Sequence, residues 1–417
     1  MFNTIKNYFR YDLSLITKIF FTIFIVHYGS ILFLGEINSV NRITYGLYVI
    51  FIFFILINQL YLSELKIRLV KYQFLLFSFA IFFLYSFFVN RLSFSISWFV
   101  GDFLVFFGII FSILLGYFFK SEIFNSEFIK KLTLVLFVIL VMNFVISIFF
   151  IDEARIRSFS RLIIVPSFFI YQMFKTKENI YLYLVLICFA MSIVSNTRYA
   201  FIIMLLMILL YSIFFFRKNI YTFLSIKNIF TALLSLIVII YILLQNNILQ
   251  NWSFYYLFTN ELLGNLGIVN VFLGRAFEVQ DAITEFSKNF NLLSIFFGNG
   301  FGASYEMNEM WNFYFREYTS EGAISSDLRR HIIHFGPVRF FFRYGLLGIF
   351  LIFYIFYITL KTLSSVFSKK TNDLELFFSI TLLMYLLRFF IQPIFNDIII
   401  LFCLSGLSYY RNLKNVK

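Results

Sequence analysis

Residues 94–119 read FSISWFVGDFLVFFGIIFSILLGYFF, an unbroken apolar run whose one ionisable side chain is Asp102. At 1.5 Å per residue, about 20 residues of helix cross the roughly 30 Å of a bilayer's hydrocarbon, so this run is long enough to span. It is continuous and does not alternate, which favours a helix over a strand of a barrel. Similar runs recur at about 15–35, 45–62, 69–89, 130–151, 160–175, 180–195, 198–216, 227–249, 337–360, 374–391 and 394–410. The expected fold is therefore all-α and polytopic, with about twelve transmembrane helices. The pair at 160–175 and 180–195 is short and closely spaced. The first run has no small-residue cleavage site after it and reads as a signal anchor.

Composition agrees. Hydrophobic residues make up 61% of the 417 and charged residues only 13%. A water-soluble chain of this length needs far more polar surface. The 66 Phe residues follow from an AT-rich coding bias and carry no function by themselves. Cys188 and Cys403 both fall inside expected spans, so neither a disulfide framework nor a thiolate metal site is indicated.

The net charge of +13 invites a nucleic-acid reading, but its distribution excludes one. Most of the 34 basic residues fall at alternate span ends, from Lys6 and Arg10 through Lys66, Lys130, Lys175 and Lys218 to Lys370 and Lys417. That is the positive-inside pattern, and it puts both termini in the cytoplasm. The remaining basic residues lie on the other side or within the membrane. All of them except Lys288 are Arg, among them Arg161, Arg198, Arg275, Arg339, Arg343 and Arg388. The planar five-donor guanidinium suits bidentate binding of phosphate or carboxylate. Ionisable residues at membrane depth usually face a cavity or a partner. Asp102, Arg198, Arg388, Asp397 and His27 all fall towards the outer leaflet, so the expected polar site opens outward. Arg388 and Asp397 could also form a structural ion pair across a tight turn.

Residues 250–336 form by far the longest loop, dividing 1–249 (spans one to nine) from 337–417 (spans ten to twelve) within one integral membrane domain. Its Trp252, Trp311 and many Tyr and Phe argue for order, and loops this long are usually functional. Around Arg275, the residues Val279, Ile283 and Phe286 share a helical face, which predicts an amphipathic helix along the membrane surface. Gly298, Gly300 and Gly302 mark a tight turn. No strand–helix unit surrounds that turn, so a nucleotide-binding loop is rejected. The densest polar cluster follows, with Arg329, Arg330, His331, His334, Arg339 and Arg343. Arg339 and Arg343 stand one turn apart at the mouth of the tenth span. A histidine among arginines stays neutral and suits a general base. The same positive charge disfavours a metal ion, and no carboxylate or cysteine pattern completes a site.

At these residues the chain resembles the O-antigen polymerase/ligase family of bacterial surface-polysaccharide glycosyltransferases. Ser195-Asn-Thr-Arg-Tyr-Ala, opening an apolar helix, is similar to that family's Ser/Thr-Arg-Gly motif, with Tyr199 in place of the glycine. Gly274-Arg275 followed by Gly298-Asn-Gly-Phe-Gly resembles the Gly-Arg and Gly-x-Gly pair of its large periplasmic loop. His334 with Gly345-Leu-Leu-Gly resembles the histidine at that loop's exit, with Phe335 in place of an asparagine. The resemblance covers about residues 190–350 and implies a GT-C-like, metal- and cofactor-independent membrane enzyme. Such an enzyme moves a glycan from undecaprenyl pyrophosphate to an acceptor hydroxyl, outside the cytoplasmic membrane. On this resemblance His334 is the catalytic base, and Arg198, Arg275, Arg339 and Arg343 hold the pyrophosphate. His331, Arg388, Asp102 and Asp397 are supporting candidates. The expected partners are the lipid-linked glycan and membrane lipid, with a flippase and a chain-length regulator as candidate protein partners. The acceptor distinguishes a polymerase from a ligase, and a flippase is the rival of a different class. A flippase would show short loops and a repeat between halves. A sugar O-acetyltransferase would need a polar site towards the inner face.

Overall fold

A computed structural model describes residues 13–34, 39–62, 81–82, 84–86, 88–89, 96–118, 122–150, 161–194, 198–215, 267–288, 290–306, 329–330, 333, 335–367, 372–390 and 397–415. The chain is a helical bundle. Its helices are α1 (Leu13–Leu34), α2 (Ser39–Leu62), α3 (Ile96–Phe118), α4 (Ser126–Phe150), α5 (Ile164–Thr176), α6 (Asn179–Val194) and α7 (Arg198–Phe215), followed by α8 (Gly267–Lys288), α9 (Leu292–Phe297), α10 (Gly336–Phe367), α11 (Asp373–Phe389) and α12 (Ile398–Asn415). One two-residue antiparallel ladder interrupts the helices among the described residues. It joins β1 (Tyr305–Glu306) to β2 (Arg329–Arg330), pairing Tyr305 with Arg330 and Glu306 with Arg329.

Four helical stretches are long and apolar enough to cross a membrane: Val40–Ile57, Ile96–Tyr117, Ser126–Ile146 and Gly336–Ser365. Three shorter apolar helices join them, at Leu15–Ser30, Asn179–Ser192 and Ala200–Phe215. The expected span at 227–249 lies outside the described residues, as does most of that at 69–89, whose described residues are helical. The pair around 160–195 folds as two helices that pack on each other, α5 and α6, joined through Lys177 in the left-handed conformation.

The bundle is centred on α3 and α12, which lie along one another and against α2 and α11. Bilayer lipid offers no hydrophobic drive between helices, so close fit and hydrogen bonds must hold them together. Gly116 supplies such a fit: a Cβ there would collide with Ser405 O and the Tyr409 amide of α12. Aromatic rings fill the remaining space. Phe402 packs edge-to-face on Phe24 and Phe378 at centroid distances of 5.5 and 5.8 Å. Offset and edge-on ring pairs of this kind add about 0.5–1.5 kcal/mol each beyond their buried area.

The α8 helix packs against α10 through one face. Its buried face carries Glu278, Ala282, Glu285 and Phe286, whereas Ile283 is 56% exposed. Phe286 meets Phe341 of α10 at 5.0 Å, in a small separate core with Ala282, Tyr305, Ile333 and Phe342.

Candidate functional site

Two buried polar centres lie at the end of the bundle where α3, α10 and α12 begin. The first is built around Asp102, in the second turn of α3 and 1% exposed. Arg343, in α10, is fully buried and ion-paired to Asp102 Oδ1 through Nη1. Arg339, one turn earlier in α10, brings Nη2 to 3.8 Å from the same oxygen. Asp102 Oδ2 accepts the backbone N–H of Gly302 at 2.9 Å, and the Tyr344 hydroxyl donates to the Asp102 carbonyl at 3.1 Å. One carboxylate thus serves two guanidinium groups and a loop amide. Only a partner of opposite charge makes such burial tolerable at membrane depth.

The Gly298–Gly302 turn is the third component, and sequence reasoning gave it no role beyond a turn. Gly345 has φ +57°, so α10 breaks there. A break leaves the preceding carbonyls without their usual helical donors. The turn supplies replacements: Asn299 N–H donates to Phe342 O at 2.7 Å and Gly300 N–H to Arg343 O at 3.1 Å. The two backbones are close enough that a Cβ at Gly345 would strike the Gly298 amide and Ile295 O, and one at Gly298 would strike the Arg343–Tyr344 peptide. Glycine is needed at both positions for space and for positive φ. α9, capped by Asn291 and Ser294 reciprocally, leads into this turn. The turn amides are therefore spent on α10 and Asp102, a protein contact in place of a phosphate cradle.

The second centre joins α1, α2, α11 and α12. His27 Nδ1 lies 2.8 Å from Thr44 Oγ1, and the Tyr28 hydroxyl donates to Asp397 Oδ1. Asp397 also caps α12, its carboxylate accepting from the Ile399 N–H at 3.1 Å. Arg161 and Arg388 lie within electrostatic reach of Asp397, and Tyr385 donates to the Arg161 carbonyl at 2.5 Å. Asp397's hydrogen bonds thus come from a tyrosine and a helix end, where an ion pair with Arg388 was one expectation. Tyr45 stands between the two centres, within electrostatic reach of Tyr344 and Asp397.

Of the expected site residues, Asp102, Arg339 and Arg343 are brought together, and Arg388 and Asp397 fall in the second centre. Arg198 opens α7 and Arg275 lies within α8, but both side chains lie outside the described residues, as do His331 and His334. Their flanks are placed: Ile333 is fully buried, and the Phe335 carbonyl accepts the Arg339 N–H at 3.0 Å as α10 begins. Sequence reasoning missed Tyr28, Tyr344 and Glu278, the last 2% exposed on the buried face of α8. A glutamate spaced four residues before Ala282 on that face was the available signal. Among the described residues no three His, Cys, Asp or Glu side chains gather as metal ligands, and Cys188 and Cys403 are buried free thiols.

In the first centre two guanidinium groups meet one carboxylate, so the cluster carries a net positive charge. Arg343 is sealed away and its charge is met by Asp102, so it anchors. Arg339 is farther from the carboxylate and its side chain is 9% exposed. Comparison of the chain with protein-family models, curated proteins and solved structures finds no match.

Proposed function

We propose that the chain is a membrane glycosyltransferase that polymerises lipid-linked polysaccharide repeat units on the outer face of the cytoplasmic membrane. In this reading about twelve spans in a GT-C-like arrangement place both termini in the cytoplasm and the end bearing Asp102 outside. The observation that carries the reading is the arginine pair of α10 converging on one buried carboxylate at that end. A diphosphate leaving group needs its developing charge stabilised, and preorganised guanidinium groups do this without a metal ion.

The bond between the anomeric carbon and the pyrophosphate oxygen breaks, and the electron pair leaves with the lipid pyrophosphate. The acceptor hydroxyl oxygen forms the new glycosidic bond, and its proton passes to His334. Arg339 binds the pyrophosphate together with Arg198 and Arg275, while Arg343, held by Asp102, fixes the helix that presents Arg339. His331 supports the base. General-base assistance of this kind is worth roughly 10²–10⁴-fold.

The test is complementation of a bacterial strain that lacks its surface-glycan polymerase. Wild-type protein lengthens the glycan and His334→Ala does not. The same glycan length with and without the wild-type protein contradicts the proposal. Lipid-linked units accumulating in the cytoplasm when the chain is removed from its own host would instead favour a flippase.

A further inference from the structure

The segment from Phe290 to Ala303 was expected to lie outside the membrane, but its packing places it deeper. Phe301 is fully buried, with its ring 5.6 Å from Phe99, 5.7 Å from Phe103, 5.9 Å from Phe106 and 6.5 Å from Phe107. All four belong to α3, one of the helices long and apolar enough to span. At 1.5 Å per residue, Phe103 and Phe107 lie roughly 10–16 Å along α3 from its start at Ile96. The hydrocarbon is about 30 Å thick, so a ring among them sits inside one leaflet. Phe297 follows the same course, stacking on Phe82 at 5.6 Å and meeting Tyr85 at 5.4 Å.

Apart from the cap residue Asn291, the exposed side chains of α9 are apolar as well. Leu292 is 71% exposed, Leu293 54% and Phe296 45%. Their neighbours in the fold are also apolar and exposed: Leu84 and Phe88 lie in the chain segment of Phe82 and Tyr85, and Phe350 and Phe353 lie farther along α10, on which α9 packs. α9 thus exposes large apolar side chains as the spans do.

Non-helical backbone at membrane depth is tolerated only where protein satisfies it. That condition is met here. Gly298 N–H donates to Ser294 O, Asn299 and Gly300 donate to the carbonyls freed by the α10 break, Gly302 donates to Asp102, and Ala303 donates to Gly300 O. The Gly298 carbonyl accepts from the Tyr85 hydroxyl at 3.1 Å. A loop lying in water would have less need of so many protein partners.

We infer that the late loop re-enters the membrane, with Leu292, Leu293 and Phe296 of α9 packed against lipid acyl chains of the leaflet at the Asp102 end of the bundle. The inference is independent of the transferase reading and holds for any chemistry at the site. It makes α9 a lateral wall of the Arg339 centre, with lipid on its other side.

The test uses full-length protein in nanodiscs, where both faces meet the aqueous phase. Single cysteines are placed by Leu293→Cys and Phe296→Cys, with Gln280→Cys on the exposed polar side of α8 as the aqueous control. A membrane-impermeant maleimide labels the control, and labelling at 293 and 296 is lost. Fluorophores attached at 293 and 296 in detergent, before reconstitution, are then quenched by lipids carrying nitroxides on their acyl chains. Labelling at 293 and 296 equal to the control overturns the inference. Protection without acyl-chain quenching, accompanied by disulfide-linked dimers of Leu293→Cys, also overturns it and places a second copy there. Wild-type protein gives an independent reading, because a lipid-partitioned carbene probe labels the peptide holding 290–297 as it does that holding 350–354. Label on the second peptide alone contradicts the inference.

Discussion

The two buried polar centres lie at the same end of one bundle and use similar residues, yet they hold different things. Around Asp102, one carboxylate is shared by two arginines and a loop amide, so the late loop, α3 and α10 are fastened at a single point. Around Asp397, the carboxylate takes a tyrosine hydroxyl and the Ile399 amide of its own helix. The first centre couples a loop to the bundle through charge. The second couples helices to one another through hydrogen bonds. The difference teaches that two buried acids with arginines near them can be tied in differently, one by direct ion pairs and the other by a hydroxyl and a helix end.

That contrast predicts unequal responses to the same substitution. Asp102→Ala leaves Arg343 buried without its carboxylate, and breaking such a pair costs about 3–5 kcal/mol. Thermal unfolding in detergent reads this as the largest loss in the molecule. A loss no greater than that of Asp397→Ala would erase the distinction. Gly345→Ala forces a side chain against the Gly298 turn, and overpacking of this kind costs about 1–3 kcal/mol. Limited proteolysis should then cut more readily within residues 290–306. Gly29→Ala, which meets nothing within 4 Å, is the control that leaves them protected. Asp397→Ala removes a helix cap worth about 1 kcal/mol and the acceptor of Tyr28. Tyr28→Phe removes a hydrogen bond of about 1 kcal/mol alone. Glu306→Gln has the smallest effect: Lys288 and Glu306 are 3.7 Å apart and half exposed, and a pair of that kind contributes about 0–1 kcal/mol.

How much of this was legible depended on the range of each interaction. The helices at 39–62, 96–118 and 126–150 could be read because about twenty apolar residues in series have one economical solution in a bilayer. Arg339 and Arg343 could be paired because they share a helix, one turn apart. Asp102 could be flagged as an intramembrane acid, but its partners lie more than two hundred residues away, and no local pattern encodes that meeting. The Gly298–Gly302 turn was legible as a turn and not as a clamp, because its acceptors are created by the break at Gly345. The face that α8 buries was not legible for the same reason, because it is set by Phe341 and Phe342 of α10. Pairing Asp397 with Arg388 was the natural inference from nearness in sequence, and Tyr28 reached the carboxylate from the far end of the chain.

The central claim is that the Asp102-anchored centre presents Arg339 to a lipid diphosphate. The direct measurement is equilibrium binding of undecaprenyl pyrophosphate to purified protein, comparing wild type with Arg339→Gln and, as a matched control at the other centre, Tyr28→Phe. A charge-assisted hydrogen bond contributes about 1.5–3 kcal/mol, so Arg339→Gln should weaken binding by about tenfold or more. Tyr28→Phe should bind as wild type does. Equal affinity for wild type and Arg339→Gln would contradict the claim.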